Sequence, residues 1–186
     1  MVDIHSHILP GLDDGAETLE VAVQMAEAAV ASEIYHIAAT SHGNIYPYTL
    51  EEYRESFERL QGALIERKIP LKLYSGMEIF LNEDVFDRLN NGELLSLNKT
   101  DYLLVEVDFE EWTANVIRWI QKLQDLGYRI VLAHPERYIF LQRDPELAYY
   151  LEEIVVLSEY QNKGYGTAFL HELERRAREN GAKHME

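Results

Sequence analysis

Residues 1–31 read MVDIHSHILPGLDDGAETLEVAVQMAEAAVA. The run VDIH (2–5) has the length and composition of a short strand. LPGLDDG (9–15) has turn chemistry, and 18–33 place Leu19, Ala22, Val23, Ala26 and Val30 on one helical face. A strand ending at His5, a turn-rich loop following His7 and an amphipathic helix make a βα unit. The same unit recurs along the chain. Strand-like runs stand at YHIAAT (35–40), LKLYSGMEIF (71–80), DYLLVEV (101–107), RIVLAHP (129–135) and IVVLSE (154–159). Between them lie helical patterns: 50–68 opens with a Thr49/Glu52 capping box, and 114–127 aligns Val116, Ile120 and Leu123. Such repetition predicts an α/β fold with parallel strands and outer helices, barrel-like or open.

Composition narrows the chemistry. The 186 residues are 47% hydrophobic and 27% charged, ordinary for a globular protein. No stretch approaches the roughly 20 apolar residues of a membrane span, and MVDIHSHILP has charge and histidine where a signal peptide has its apolar core. A cytoplasmic location is expected. There are no cysteines, so a metal here must be held by nitrogen and oxygen, and no thiolate nucleophile exists. The net charge of −16 argues against nucleic acid as a partner.

Residues with metal-ligand chemistry fall at or just past the ends of successive strand-like runs. They are His5 and His7, His42, Glu78, Glu106 and His134. Strand C-termini of a parallel βα array open on one face, so six residues scattered over the chain are expected to converge. Four imidazoles and two carboxylates suit Mn²⁺, alternatively Fe²⁺ or Zn²⁺, and exceed what one ion needs; two ions bridged by a carboxylate follow. Single histidines are more often surface or satisfied core residues, and His36, His171 and His184 are read that way.

The combination of HSHILPG and DDGA with ATSHGN, SGMEI, LLVEV and LAHPERY resembles the polymerase-and-histidinol-phosphatase (PHP) superfamily, in particular its bacterial metal-dependent protein-tyrosine phosphatases of capsular and exopolysaccharide synthesis. The resemblance covers residues 1 to about 150. It implies a distorted, TIM-like βα barrel with a polynuclear metal centre and a metal-activated hydroxide attacking phosphorus. The substrate would be a phosphotyrosine protein or a small phosphomonoester. It assigns metal binding to His5, His7, His42, Glu78, Glu106 and His134, and phosphate binding to Arg137. A salt bridge to Glu136 is the plainer reading of Arg137. Asp13 and Asp14 either orient ligand histidines, supply the leaving-group proton, or form only a turn.

Two departures stand out. Where the family has ATPHH this chain has ATSHG, with Ser41 and Gly43 expected to loosen the loop that aims His42. The family's late Asp-x-His has no counterpart after residue 134, so a reduced hydrolase rate is expected. Residues 154–186 instead resemble the acetyl-CoA-binding motif of the GNAT superfamily of N-acetyltransferases, Gln-x-x-Gly-x-Gly, at Gln161, Gly164 and Gly166. The rest of that fold is missing, so acetyl-CoA is not expected as a cofactor. The expected organisation is a phosphatase-like portion, 1–153, and an acetyltransferase-like βα fragment, 154–186, packed as one domain: a chimera with an incomplete barrel and a second copy covering its open side. Two other functional readings stand beside the hydrolase: a non-catalytic engineered chimera or scaffold that holds metal or phosphate, and an acetyl-CoA-binding fragment.

Overall fold

A computed structural model describes residues 1–109 and 114–139. Their elements follow the expected βα alternation. Strands β1 (Val2–Ser6) and β2 (His36–Ala39) flank helix α1 (Leu19–Ala31), and α2 (Leu50–Glu66) leads to β3 (Lys72–Ser75) and β4 (Glu78–Phe80). After these come α3 (Val85–Asn90), β5 (Tyr102–Glu106), α4 (Ala114–Asp125) and β6 (Arg129–Leu132). Short 3-10 turns at Leu97–Lys99 and Pro135–Arg137 complete the set.

Every strand pairing among the described residues is parallel. The orders are β1-β2-β3 and β4-β5-β6, joined by an isolated parallel bridge between His42 and Glu78. Among the described residues no pairing joins β6 back to β1.

The run 71–80, expected as one strand, is two. It breaks at Gly76 and Met77, pairing with β2 before the break and with β5 after it. A side chain at Gly76 would press on Leu97 and Thr40, at 3.0 and 3.2 Å from its Cβ. The buried Tyr53 hydroxyl of α2 spans the break, accepting from Gly76 N (3.1 Å) and donating to Ala39 O (2.8 Å). One broken strand thereby changes neighbours without orphaning its backbone.

The helices form where periodicity and caps agree. Thr18 caps α1 through its side chain, and Thr49 with Glu52 forms the complete capping box of α2. Ala22, Val23 and Ala26 of α1, Leu60, Ala63 and Leu64 of α2, and Val116, Ile120 and Leu123 of α4 are buried in one continuous core with Ile37, Leu103, Val105, Ile130 and Leu132 of the strands. The alternate strand residues Ile4, Ala38, Leu104 and Val131 pack on the opposite face with Leu97, Ala133 and Tyr102. Burial on both faces is what a helix-covered parallel sheet requires. Helix α3 is a short connector between β4 and the 3-10 turn at Leu97–Lys99.

Candidate metal centre

The six expected ligands come together, His5, His7, His42, Glu106 and His134 at or just past strand C-termini and Glu78, their hub, as the first residue of β4. Its carboxylate is almost fully buried and takes four imidazoles. Oε2 lies 3.1 Å from His5 Nε2, 2.9 Å from His7 Nε2 and 3.4 Å from His42 Nδ1, while Oε1 lies 2.9 Å from His134 Nε2. Glu106 completes the floor, 3.5 Å from His134 Nε2 and 3.9 Å from His42 Nδ1.

Local backbone features aim these side chains. The β1 ladder is irregular between Asp3 and Ser6, and Asp3 accepts the His5 amide at 3.0 Å. Thr40 clamps the strand end, its hydroxyl accepting Ser6 N at 2.8 Å and its amide donating to Ser6 O at 2.9 Å. His7 lies just past β1, yet its Nε2 comes to 3.2 Å from that of His5. His134 sits in the left-handed region at φ 34°, a conformation that is uncommon outside glycine and recurs at functional sites.

The loop carrying His42 is tied on both sides rather than loosened. Gly43 N donates to Glu78 O at 2.7 Å, Glu78 N to Ser41 O at 3.2 Å, and His42 N to Asp13 Oδ2 at 2.9 Å. A Cβ at Gly43 would meet Leu94 and Met77 at 3.0 and 3.1 Å, so glycine suits this close packing.

Asp13 and Asp14 separate in role by position. Asp13 is buried behind His7, accepting from His7 Nδ1 (2.9 Å), His42 N (2.9 Å) and Gly15 N (3.1 Å). Asp14 is exposed at the cavity edge, 3.4 Å from His7 Nδ1 and 3.7 Å from His42 Nε2. The DDG segment is thus both a turn and a brace. Gly15 is required in it: an added Cβ would fall 2.0 Å from His7 O.

The electrostatics match a cation site. Burial would lower the His7 imidazole, but its hydrogen bonds to Asp13 and Glu78 outweigh that and raise it to about 10. Burial would likewise raise Glu78, yet hydrogen bonds from His134, His5 and His7 hold it well below the ordinary carboxylate range. Glu106 is pushed up by burial and then by the charge of Glu78; His42 is pushed down by burial. His42 Nδ1 and His134 Nδ1 are buried without hydrogen-bond partners. Crowded imidazole nitrogens around buried carboxylate oxygens fit a divalent ion, which would offset the charge and take up lone pairs. Three groups have donor atoms close enough to share an ion: His5, Glu78 and His134; His7, Asp14 and His42; and His42, Glu78 and Glu106.

A cavity of about 700 Å³ opens above this cluster. Arg137 lines it, its guanidinium 4.5 Å above the Phe109 ring. Asp3, Ile45, Tyr46 and Phe109 also line it and were not anticipated. Only Asp3 left a trace in the sequence, two residues before His5 in the same strand alternation. His36, expected to be structural, pairs with Tyr74 at 2.9 Å away from the cavity. Gln161, Gly164, Gly166, His171 and His184 lie outside the described residues.

A family model described as capsular polysaccharide synthesis, CpsB/CapC, matches residues 1–160. The chain belongs to the CpsB/CapC family. The match runs past the seam expected at 152–154, so it gives no support to a junction there. The tyrosine-protein phosphatase YwqE of Bacillus subtilis is 40% identical over 155 residues, 82% of this chain and 61% of that protein. The putative tyrosine-protein phosphatase CapC of Staphylococcus aureus is 32% identical over 139 residues, 74% of this chain and 54% of that protein. A solved structure, from work on YwqE and on CpsB of Streptococcus pneumoniae as metal-dependent tyrosine phosphatases, superposes with a TM-score of 0.77 at 40% identity, covering 82% of this chain and 62% of that one. This CpsB/CapC member therefore spans about three fifths of the length of these relatives. Among the described residues no helix is long and apolar enough to cross a membrane.

Proposed function

We propose that this chain is a metal-dependent phosphomonoesterase acting on phosphotyrosine. The observation that carries the reading is the convergence of four imidazoles on the buried Glu78 beneath a cavity bordered by Arg137. His5, His7, His42, Glu78, Glu106 and His134 would hold two ions of Mn²⁺, or alternatively Fe²⁺ or Zn²⁺. Glu78 belongs to two of the three donor groups and would be shared between ions. Bound there, divalent ions would supply Lewis acidity, activating water and offsetting phosphoryl charge.

The remaining roles fall to the chain itself. Arg137 would receive the phosphate through two parallel N–H donors, its plane steadied by Phe109. Asp13, buried and fully engaged, would fix the orientation of His7, which makes it a positioning residue and not the leaving-group acid. Asp14, at the edge of the cavity, would carry a proton to the leaving oxygen. The two-sided strand burial supports a distorted barrel, with a cytoplasmic location and a second copy over the open side as companion readings; light scattering tests the latter.

The acetyl-CoA-binding reading at Gln161, Gly164 and Gly166 is not favoured, because the family match crosses the seam on which it depends. In the test, Mn²⁺-loaded protein releases phosphate from a phosphotyrosine peptide. His134→Ala lowers kcat/KM beyond the roughly 10- to 100-fold typical of losing an outer partner of a ligand. Arg137→Lys raises KM, because it keeps the charge and loses the fork. No phosphate release with Mn²⁺, Fe²⁺ or Zn²⁺ overturns the reading.

A further inference from the structure

Strand β4 is bonded along both of its edges, and the two edges differ. On one it pairs with β5, and Leu81 N donates to Glu106 O at 2.8 Å. On the other it meets the segment that carries His42. There Glu78 makes one ordinary parallel bridge, its N–H donating to Ser41 O at 3.2 Å and its C=O accepting Gly43 N at 2.7 Å. A parallel ladder continued by one step would join Phe80 N to Gly43 O and Ile45 N to Phe80 O. Phe80 bonds instead to the side chain of Asn44, whose Oδ1 accepts Phe80 N at 2.9 Å and whose Nδ2 donates to Phe80 O at 2.8 Å. Phe80 N can only donate and Phe80 O only accept, so the direction of this carboxamide is fixed.

The exchange leaves the Gly43 carbonyl over, and Arg88 of α3 takes it up. Its Nη2 donates to Gly43 O at 3.2 Å and its Nη1 to Asn44 O at 3.5 Å, while its Nε donates to Glu93 Oε2 at 3.2 Å. Asp13 accepts the His42 amide at 2.9 Å. His42 is thus clamped between Asp13 on one side and the Asn44 pair on the other. Two of the three donor groups contain His42, one with His7 and Asp14 and one with Glu78 and Glu106; His5, Glu78 and His134 form the third without it. A shift of segment 41–44 along β4 would therefore disturb two groups and spare the third.

We infer that Asn44, backed by Arg88, is a positioning residue for His42: its carboxamide takes the place of strand backbone and sets the spacing of His42 from Glu78 and Glu106. The inference rests on the metal-dependent reading only for what His42 holds. The clamp itself is made by protein atoms alone, and a strand-like contact that ends in a side chain can be removed without cutting the ladder that precedes it.

Two measurements on the full chain test this. In EDTA-treated protein, Asn44→Ala should speed hydrogen exchange at the Phe80 and Gly43 amides about tenfold or more, as the loss of two ordinary hydrogen bonds predicts. The Thr40 amide, bonded to Ser6 O, should keep its protection. Calorimetric titration of the unmodified protein with Mn²⁺ should show two binding steps. Asn44→Ala should weaken one about 10- to 100-fold, the loss typical of removing an outer partner of a ligand, and leave the other within about threefold. A general loosening of the fold would weaken both. Asn44→Asp keeps the shape and the acceptor for Phe80 N but sets a carboxylate oxygen against Phe80 O, so it should behave like Asn44→Ala; a packing role would be rescued. Arg88→Ala should weaken the same step severalfold, and it decides the matter if Asn44→Ala does not fold. Unchanged exchange at Phe80 and Gly43, Mn²⁺ binding that the variants weaken uniformly or not at all, or full rescue by Asn44→Asp overturns the clamp. Faster exchange in a protein that binds no Mn²⁺ leaves the clamp standing and overturns the metal-dependent reading. Two Mn²⁺ steps that Asn44→Ala leaves intact do the reverse.

Discussion

Asp13 shows how one side chain settles the orientation of several others. Its carboxylate accepts from an imidazole and two backbone amides while fully buried, so removing it strands three donors. Asp13→Ala is expected to lower stability by about 1 to 3 kcal/mol in urea unfolding. It should also weaken Mn²⁺ binding about 10- to 100-fold by calorimetry. His7 carries a second expectation. Its pKa in the metal-free fold is raised from 6.5 to about 10 by Asp13 and Glu78 against the effect of burial, so the folded state holds a proton that the unfolded chain releases. That contribution is fully present below pH 6.5 and is lost as pH rises toward 10. The melting temperature of EDTA-treated protein should fall across this window. Glu78, with its pKa depressed, contributes in the opposite sense: its part is present above the ordinary carboxylate range and lost on acidification. Metal must displace the His7 proton, so Mn²⁺ affinity should climb as pH rises through the same window. The six-residue cluster was legible in sequence because ligand chemistry is confined to few residue types and five of the six fall at or just past strand C-termini; Glu78, expected near the end of its strand, instead opens β4 after the break at Gly76 and Met77. Tyr46 and Phe109 were not, because an aromatic residue in a loop has no feature that tells a cavity wall from core packing.

At the level of elements, repetition of strand and helix was readable because caps and apolar periods agreed with tertiary packing. The Thr49 capping box and the buried faces of α1, α2 and α4 follow the pattern directly. The break of 71–80 into β3 and β4 was not readable, since an apolar run carries no record of which neighbour each half will pair with. Gly76 marks the place, and its meaning depends on Thr40, Leu97 and Tyr53, which are distant in sequence. Tyr53→Phe tests the hydroxyl bridge. It leaves the ring in the core while removing the acceptor of Gly76 N and the donor to Ala39 O. Unfolding in urea should show a loss of about 1 to 3 kcal/mol. The His42–Glu78 bridge lies one step beyond the break, so the same variant should weaken Mn²⁺ binding as well as the fold. An unchanged metal affinity would mean that the site does not depend on the break.

For the whole molecule, a short glycine pattern in the last 33 residues does not mark a second family, because the CpsB/CapC match continues past the expected seam at 152–154 to residue 160. The net charge leaves two explanations for any effect of cations. A net charge of −16 favours divalent ions of every kind by general screening, which relieves self-repulsion without a site. A cluster of four imidazoles and two carboxylates would instead discriminate, its nitrogen donors favouring a transition-metal ion over Mg²⁺ and Ca²⁺. Thermal unfolding at matched ionic strength separates the two. With free Mn²⁺ at about 100 times its dissociation constant, linkage stabilises the fold by about 2.7 kcal/mol, a rise of about 5 to 10 °C for a chain of this size. The same concentrations of Mg²⁺ and Ca²⁺ should produce a small, shared rise from screening alone. His134→Ala removes one imidazole from Glu78 and Glu106 but alters the net charge little, so it should keep the screening rise and lose most of the Mn²⁺-specific one. If Mn²⁺, Mg²⁺ and Ca²⁺ shift the transition equally, or if His134→Ala leaves the Mn²⁺ shift intact, the cluster is a buried polar network and the stabilisation belongs to the charge of the whole chain.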